Sequence, residues 1–190
     1  MRQEARSAMA NNWGVGIGIT VVFWLISGVS GLAGYGIPAI FITFPLTFGL
    51  AITFLQFVRD GKPLDVGSIF AGFKSPFYWK GVGVYLLIYI YTLLWSLLLV
   101  VPGVIKFLSY SLAPYILADE PELTAEQAIC KSMIMMEGHK TQLFLIHLEL
   151  FCFTLLSSCL LFIPMLWVVP WYQAIFAKFY EEVKGEQSVA

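Results

Sequence analysis

The chain carries eleven lysines and arginines in 190 residues, and all but Lys106 fall into four short clusters separated by long apolar runs. Arg2 and Arg6 precede the first run, and Arg59, Lys62, Lys74 and Lys80 lie between the second and third. Lys131 and Lys140 sit between the fourth and fifth, and Lys178 and Lys184 follow the last. Cationic loops are retained on the cytoplasmic side of a bilayer. The spacing therefore predicts that all four clusters share one side, that the chain crosses an even number of times, and that both termini are cytoplasmic.

Composition points the same way. With 59% hydrophobic and 12% charged residues and a mean hydropathy of +0.81, a soluble domain of this size would lack the polar residues to cover its surface. Residues 14–33, 38–58, 81–101 and 141–163 each supply the roughly 20 residues that cross a hydrocarbon core of about 30 Å. Residues 103–118 and 165–180 are shorter. At about 1.5 Å per residue the first of these rises only about 24 Å, which requires local thinning or burial in protein. The net charge of −1 says nothing about partners, being a sum over loops expected to face one compartment, and no basic surface suited to nucleic acid is present, so none is expected as a partner. The three cysteines form no disulfide framework, and Cys130, Cys152 and Cys159 are expected as reduced thiols packing as small apolar groups. Arg2, Arg6 and the first run, with Gly31, Leu32 and Ala33, imitate a signal peptide. The run is longer than an ordinary signal core and its loss would leave an odd number of crossings, so it is expected to remain as a span.

Read as hairpins, the six runs repeat. Ile37-Pro38, Val101-Pro102 and Ile163-Pro164 each open an even-numbered run, and each of these runs holds a further proline at Pro45, Pro114 and Pro170. Asn12-Trp13-Gly14-Val15-Gly16 is echoed by Trp79-Lys80-Gly81-Val82-Gly83, and more loosely by Gly138-His139-Lys140. The expected architecture is all-α: a single polytopic membrane helix bundle over residues 1–190, with six spans arranged as three pseudo-repeated hairpins at 13–58, 81–118 and 141–180. Two-span units all enter from one side, so the repeats are parallel and not inverted.

The linkers are patterned as helices lying at the cytoplasmic interface, at 65–74 and 124–137. Thr124 with Gln127 reads as a capping box, after which Ala128, Ile129, Ser132, Met133 and Met136 share one helical face. Ile129, Met133 and Met136 give that face its apolar character, suited to a lipid surface. Asp65 is placed to cap the other linker helix, with Ile69, Phe70 and Phe73 as its apolar side.

Glu149, nine residues beyond Lys140, is the one acidic residue at hydrocarbon depth, roughly 13 Å in. A carboxylate there must be paired, hydrated or protonated, which makes it a candidate functional group. Gln173, Ser111, Thr47, Tyr89 and Thr92 reach a similar depth and define, with Glu149, a candidate polar belt. His147 points roughly 200° away from Glu149 on a helix, so the two form no dyad within that helix. His147, Cys152, Cys159 and Met165 lack metal-ligand spacing, and Met133, Met135 and Met136 suit a helix face. Gly14 and Gly18 form a GxxxG, continued by Ser27 with Gly31 and Ser30 with Gly34, which favours close backbone approach. No nucleophile elbow, phosphate loop or zinc-protease motif occurs, and no cofactor is expected.

The string Val101-Pro102-Gly103-Val104-Ile105, then Tyr110-Ser111-Leu112-Ala113-Pro114-Tyr115-Ile116-Leu117-Ala118-Asp119, Ala128-Ile129, Ser132, Met136, Gly138-His139-Lys140 and Leu143-Phe144 resembles the bacterial integral-membrane family called domain of unknown function 975. More distantly it is similar to the membrane domain attached to some glycerophosphodiester phosphodiesterases. Ala5, Asn12-Trp13, Pro170-Trp171-Tyr172 and Phe179-Tyr180 extend the likeness over most of the chain. After Leu143-Phe144 the family tends to continue with Ser, Gly and Trp, where this chain has Glu149, Cys152 and Phe153. The resemblance implies a multi-pass protein of the bacterial plasma (inner) membrane with no assigned activity. Two function classes stay open. One is a non-enzymatic protein that handles or senses lipids or amphiphiles, or scaffolds a cytoplasmic or membrane partner; the other is a small-molecule or proton-coupled transporter using Glu149.

Overall fold

A computed structural model describes residues 9, 12–33, 37–74, 77–158 and 164–189. The described elements are all helical: α1 (Trp13–Ala33), α2 (Ile37–Asp60), a 3-10 helix (Val66–Phe73), α3 (Phe77–Leu98), α4 (Val100–Tyr110), α5 (Ala113–Asp119), α6 (Ala125–Met135), α7 (Lys140–Ser158) and α8 (Met165–Val189). Among the described residues five stretches are long and apolar enough to cross a membrane: Trp13–Ser30, Ala39–Asp60, Phe77–Leu98, Val100–Asp119 and Lys140–Ser157. The sixth expected run differs. It belongs to α8, a 25-residue helix that continues well past residue 180 through Glu181, Glu182, Lys184 and Glu186.

The core lies where α2 and α8 meet. Phe48 and Phe54 of α2 and Tyr172, Phe179 and Tyr180 of α8 are among the largest fully buried side chains, and α8 also packs against α1. By contrast α1, α3 and α7 bury only about a fifth of their span-length stretches. In a bilayer the lipid is as apolar as the core, so tight packing and polar contacts do most of the holding.

Two such contacts fix the 3-10 helix. A Cβ added at Gly49 would lie 1.8 Å from the Ile69 carbonyl oxygen, and one at Gly72 would lie 1.9 Å from that of Pro45. The segment is therefore laid backbone against backbone on the middle of α2, with Ile69 fully buried and the Thr53 and Ser68 hydroxyls 3.0 Å apart. The expected helix at 65–74 is a 3-10 helix, and the Asp65 side chain makes no cap bond; of its apolar side Ile69 turns into the protein while Phe70 and Phe73 are exposed. Gly61, at φ 64, ends α2 with the left-handed residue that lets the chain turn back along it.

Pro45 sits inside α2 and cannot donate to the carbonyl of Phe41. The Tyr78 hydroxyl donates to that carbonyl at 3.3 Å. The first turns of α3 thus satisfy an acceptor that the proline leaves open, as a low-dielectric environment demands. Beyond these turns α3 pairs with α4: Tyr91 faces Tyr110 at 6.1 Å between ring centroids, Lys106 stands 5.0 Å from the Trp95 ring, and Gly103 admits Ser96, whose Cα is 2.9 Å from a built Cβ. Only Leu99, in extended conformation, joins the two helices, and Leu97 through Val101 form an exposed apolar tip.

The expected span 103–118 is broken. α4 ends at Tyr110 and α5 begins at Ala113 with a proline in its first turn; Pro114 cannot donate to the Tyr110 carbonyl, which weakens the helix there, and a first-turn position suits it. The expected opener Pro102 lies inside α4, its third residue. The break is held from α6. The Ser132 hydroxyl donates to the Ser109 carbonyl at 2.7 Å and accepts from the Leu112 amide at 3.2 Å, with Ser132 fully buried.

The capping box at the start of α6 is present in full: the Thr124 hydroxyl accepts from the Gln127 amide at 3.3 Å, and the Gln127 side chain accepts from the Thr124 amide at 2.9 Å. Its apolar face has a different neighbour from the one expected. Ile129 and Met136 are buried in protein, Met133 is half-buried, and Ile134 is the exposed apolar residue of the helix; α6 packs on α3, α4, α5 and α8.

The GxxxG of α1 is not a close-approach seam. Nothing lies within 4 Å of a Cβ built at Gly14, and only Val66 Cγ2 at 3.7 Å meets one at Gly18. The close contact is at Gly16, against Pro170 Cβ at 3.1 Å and Met9 Cε. Gly34 lies outside the described residues, as does Cys159.

Candidate functional site

A cavity of about 280 Å³ opens between α2, α3, the α4–α5 break, α7 and α8. Six polar side chains line it: Thr47, Tyr85, Ser111, Tyr115, His147 and Gln173. The remaining wall is apolar, with Ala51, Ile88, Leu143, Phe107 and Phe176 among its residues. Ser111 and Leu112, the two residues between α4 and α5, form part of its wall.

Not all six polar groups are free for a ligand. The Thr47 hydroxyl donates to the Thr43 carbonyl at 2.8 Å, and that of Ser111 to the Leu108 carbonyl at 2.7 Å. Each returns its proton to its own helix and offers the cavity only an acceptor. His147 Nδ1 lies 3.0 Å from the Leu143 carbonyl, so Nδ1 carries the proton there and Nε2 is left as the acceptor of the neutral ring. Phe107 meets the imidazole edge-on at 5.7 Å and Phe176 lies 5.0 Å away, which fixes the ring. The Gln173 amide and the Tyr85 and Tyr115 phenols make no hydrogen bond among the described residues. Three groups able to donate therefore face one mostly apolar space, together with three acceptors.

Of the six residues in the expected polar belt, Thr47, Ser111 and Gln173 are brought together here. Glu149, Tyr89 and Thr92 are not among the lining residues. Tyr89 is exposed on α3, and the Thr92 hydroxyl is buried without a hydrogen-bond partner among the described residues. His147, Tyr85 and Tyr115 were not in that belt. The signal for His147 was available in the sequence: the helical angle that separates it from Glu149 is the one that turns it into the cavity.

One wall of the cavity continues into an ionic cluster where α2 and α5 end against the second half of α8. Tyr115 stacks on Tyr180 at 5.8 Å between centroids, and the Tyr180 hydroxyl donates to Asp119 Oδ2 at 3.0 Å. Asp119, whose side chain is 9% exposed, also accepts from Arg59 and Lys184. Arg59 in turn donates through Nε and Nη2 to Glu181 Oε1, at 2.9 and 2.6 Å. Two cations, two carboxylates and a phenol thus tie three helices together. A smaller cavity of about 210 Å³, lined in part by Gln56, Arg59 and Asp119, opens beside them. Among the described residues no group of three or more His, Cys, Asp or Glu is placed to hold a metal ion.

Residues 97–187, a little under half of the chain, match the family described as "Protein of unknown function (DUF975)". The matched region runs from the α3–α4 tip to α8 and includes Ser111, Tyr115, Asp119, His147, Gln173 and Tyr180; α1, α2 and all but the last turn of α3 lie outside it, and with them the expected likeness at Ala5 and Asn12-Trp13. No curated protein and no solved structure matches the chain, so the distant similarity to glycerophosphodiester phosphodiesterase membrane domains finds no counterpart.

Proposed function

We propose that this chain is a non-enzymatic, multi-pass protein of the bacterial inner membrane that binds an amphiphilic small molecule in the cavity between α2, α3, α5, α7 and α8. Six crossings as three hairpins, with both termini cytoplasmic, is the arrangement that suits it. Each expected hairpin has its two arms in contact, and Arg59 and Lys184 meet at a single end of the bundle. The observation that carries the ligand reading is that the Gln173 amide and the Tyr85 and Tyr115 phenols, without hydrogen bonds among the described residues, line one mostly apolar space. Such a space is favourable for a molecule with an apolar body and a few polar groups, and groups left unmatched in it cost about 1 to 3 kcal/mol each. Mass spectrometry of molecules retained by the protein in native-lipid nanodiscs tests this. The wild type and Glu149→Gln are expected to retain the same molecule, and Gln173→Leu to lose most of it. Equal retention by Gln173→Leu, or an empty wild type, refutes the reading.

A second reading, a proton-coupled transporter, gains one observation. His147 is a titratable group within the cavity, and Tyr115 links that cavity to the Asp119 cluster. In proteoliposomes, transport coupled through the cavity is abolished by His147→Gln, whereas coupling through Glu149 is abolished by Glu149→Gln. A proton flux indifferent to both substitutions removes the transporter reading.

A further inference from the structure

A second concave surface lies on the outside of the bundle, between α4 and the first turns of α7. It encloses about 400 Å³ and is lined by Val100, Val101, Val104, Ile105, Leu108 and Phe144, with Lys140 and Thr141 at the α7 start. We propose that this groove is a binding site for one anionic phospholipid, with an acyl chain along the valines and Phe144 and the headgroup phosphate on Lys140.

The charge is placed for that role. Arg59, Lys131 and Lys184 are each paired with a carboxylate, whereas Lys140 makes no ion pair and Thr141 no side-chain hydrogen bond among the described residues. An unpaired ammonium beside an apolar furrow is matched by a ligand that joins a negative headgroup to a hydrocarbon tail. A free phosphate leaves the furrow unfilled, and a neutral lipid leaves the cation unmatched. The apolar lining residues Val100, Val101, Val104, Ile105 and Phe144 are exposed, so the furrow is open to lipid and reached without any opening of the core. Lys140 belongs to the cationic clusters placed on the cytoplasmic side, whose leaflet is the anionic one in which a basic side chain near the surface gains most. The site is separate from the central cavity and does not rest on the ligand reading given above.

Native mass spectrometry of the full chain, delipidated and then titrated with phosphatidylglycerol or with phosphatidylcholine of the same acyl chains, is the test. The wild type is expected to prefer phosphatidylglycerol, and Lys140→Gln to lose roughly fivefold in its affinity for that lipid and to treat the two alike. Lys74→Gln, which removes an exposed cation elsewhere, should leave the preference intact. Val104→Ser should weaken both lipids together, because it removes tail contact and not charge. Elution as a monodisperse species confirms that each exposed-site variant is folded. The proposal is overturned if Lys140→Gln keeps the preference, if Lys74→Gln removes it equally, or if glycerol phosphate without acyl chains competes as well as the intact lipid.

Discussion

At Gly49 and Gly72 two backbones touch where any side chain would collide, with carbonyl oxygens 1.8 and 1.9 Å from the built Cβ positions. Backbone cannot move aside as a flexible side chain can. Gly49→Ala and Gly72→Ala are therefore each expected to destabilise the fold by about 2 to 3 kcal/mol, seen as a lower midpoint of thermal aggregation in detergent. Gly14→Ala, in open space, should be neutral or slightly stabilising, since alanine is the better helix former. A Gly14→Ala loss as large as the others would return the first helix to the close-packed reading. The sequence displayed the wrong glycines most prominently: Gly14 and Gly18 have the familiar spacing, while Gly49 and Gly72 are far apart in the chain and marked by no motif. Pro45 is a comparable case. Its presence predicts an orphaned carbonyl at Phe41, but nothing local predicts that Tyr78 supplies the donor.

Among the elements, α6 was the most legible, because a capping box is a short-range pattern that depends on four consecutive residues. What its face packs against was not legible. Ile129 and Met136 have the same chemistry whether they meet lipid or protein, and only the position of α5 and α8 decides between the two. The α4–α5 break was half visible in Pro114, yet the element that stabilises it, Ser132, comes 18 residues later. Removing that hydroxyl tests the account. Ser132→Ala leaves a buried amide at Leu112 and a carbonyl at Ser109 without their partner, expected to cost about 1 to 3 kcal/mol. Hydrogen exchange should then quicken at Leu112 before it does in α2. An unchanged Leu112 amide would mean that the break is held by Pro114 alone.

For the whole molecule the charge clusters led to the expectation that Arg59 and Lys184 share one end, where the structure has them both on Asp119, and the apolar runs led to six spans. Among the described residues five stretches are apolar enough to span, and the helix of the sixth run packs at the centre. Its lower half is charged because Glu181 and Lys184 are needed at the ionic cluster. Asp119→Ala leaves Arg59 and Lys184 facing each other in a half-buried site and is expected to cost about 2 to 4 kcal/mol. Asp119→Ala combined with Lys184→Ala should recover part of that loss, and additive losses would show that the two residues act independently. The sidedness is open to direct measurement too. In a cysteine-free background, Gln127→Cys and Glu186→Cys should react with an impermeant thiol reagent only from the cytoplasmic face. Reaction of either from outside refutes the common placement of the clusters.

The helix that fills the centre, α8, follows the seven other described α-helices in the chain and is therefore synthesised after them. Until residues 165–189 have left the ribosome, Phe48 and Phe54 lack their inner neighbours, Asp119 lacks Tyr180 and Lys184, and the cavity lacks the wall that carries Gln173. The earlier helices then have only one another to pack against. The arrangement makes the emergence of α8 the event that closes the fold, and a chain paused before it holds an open furrow beside Arg59 and Asp119.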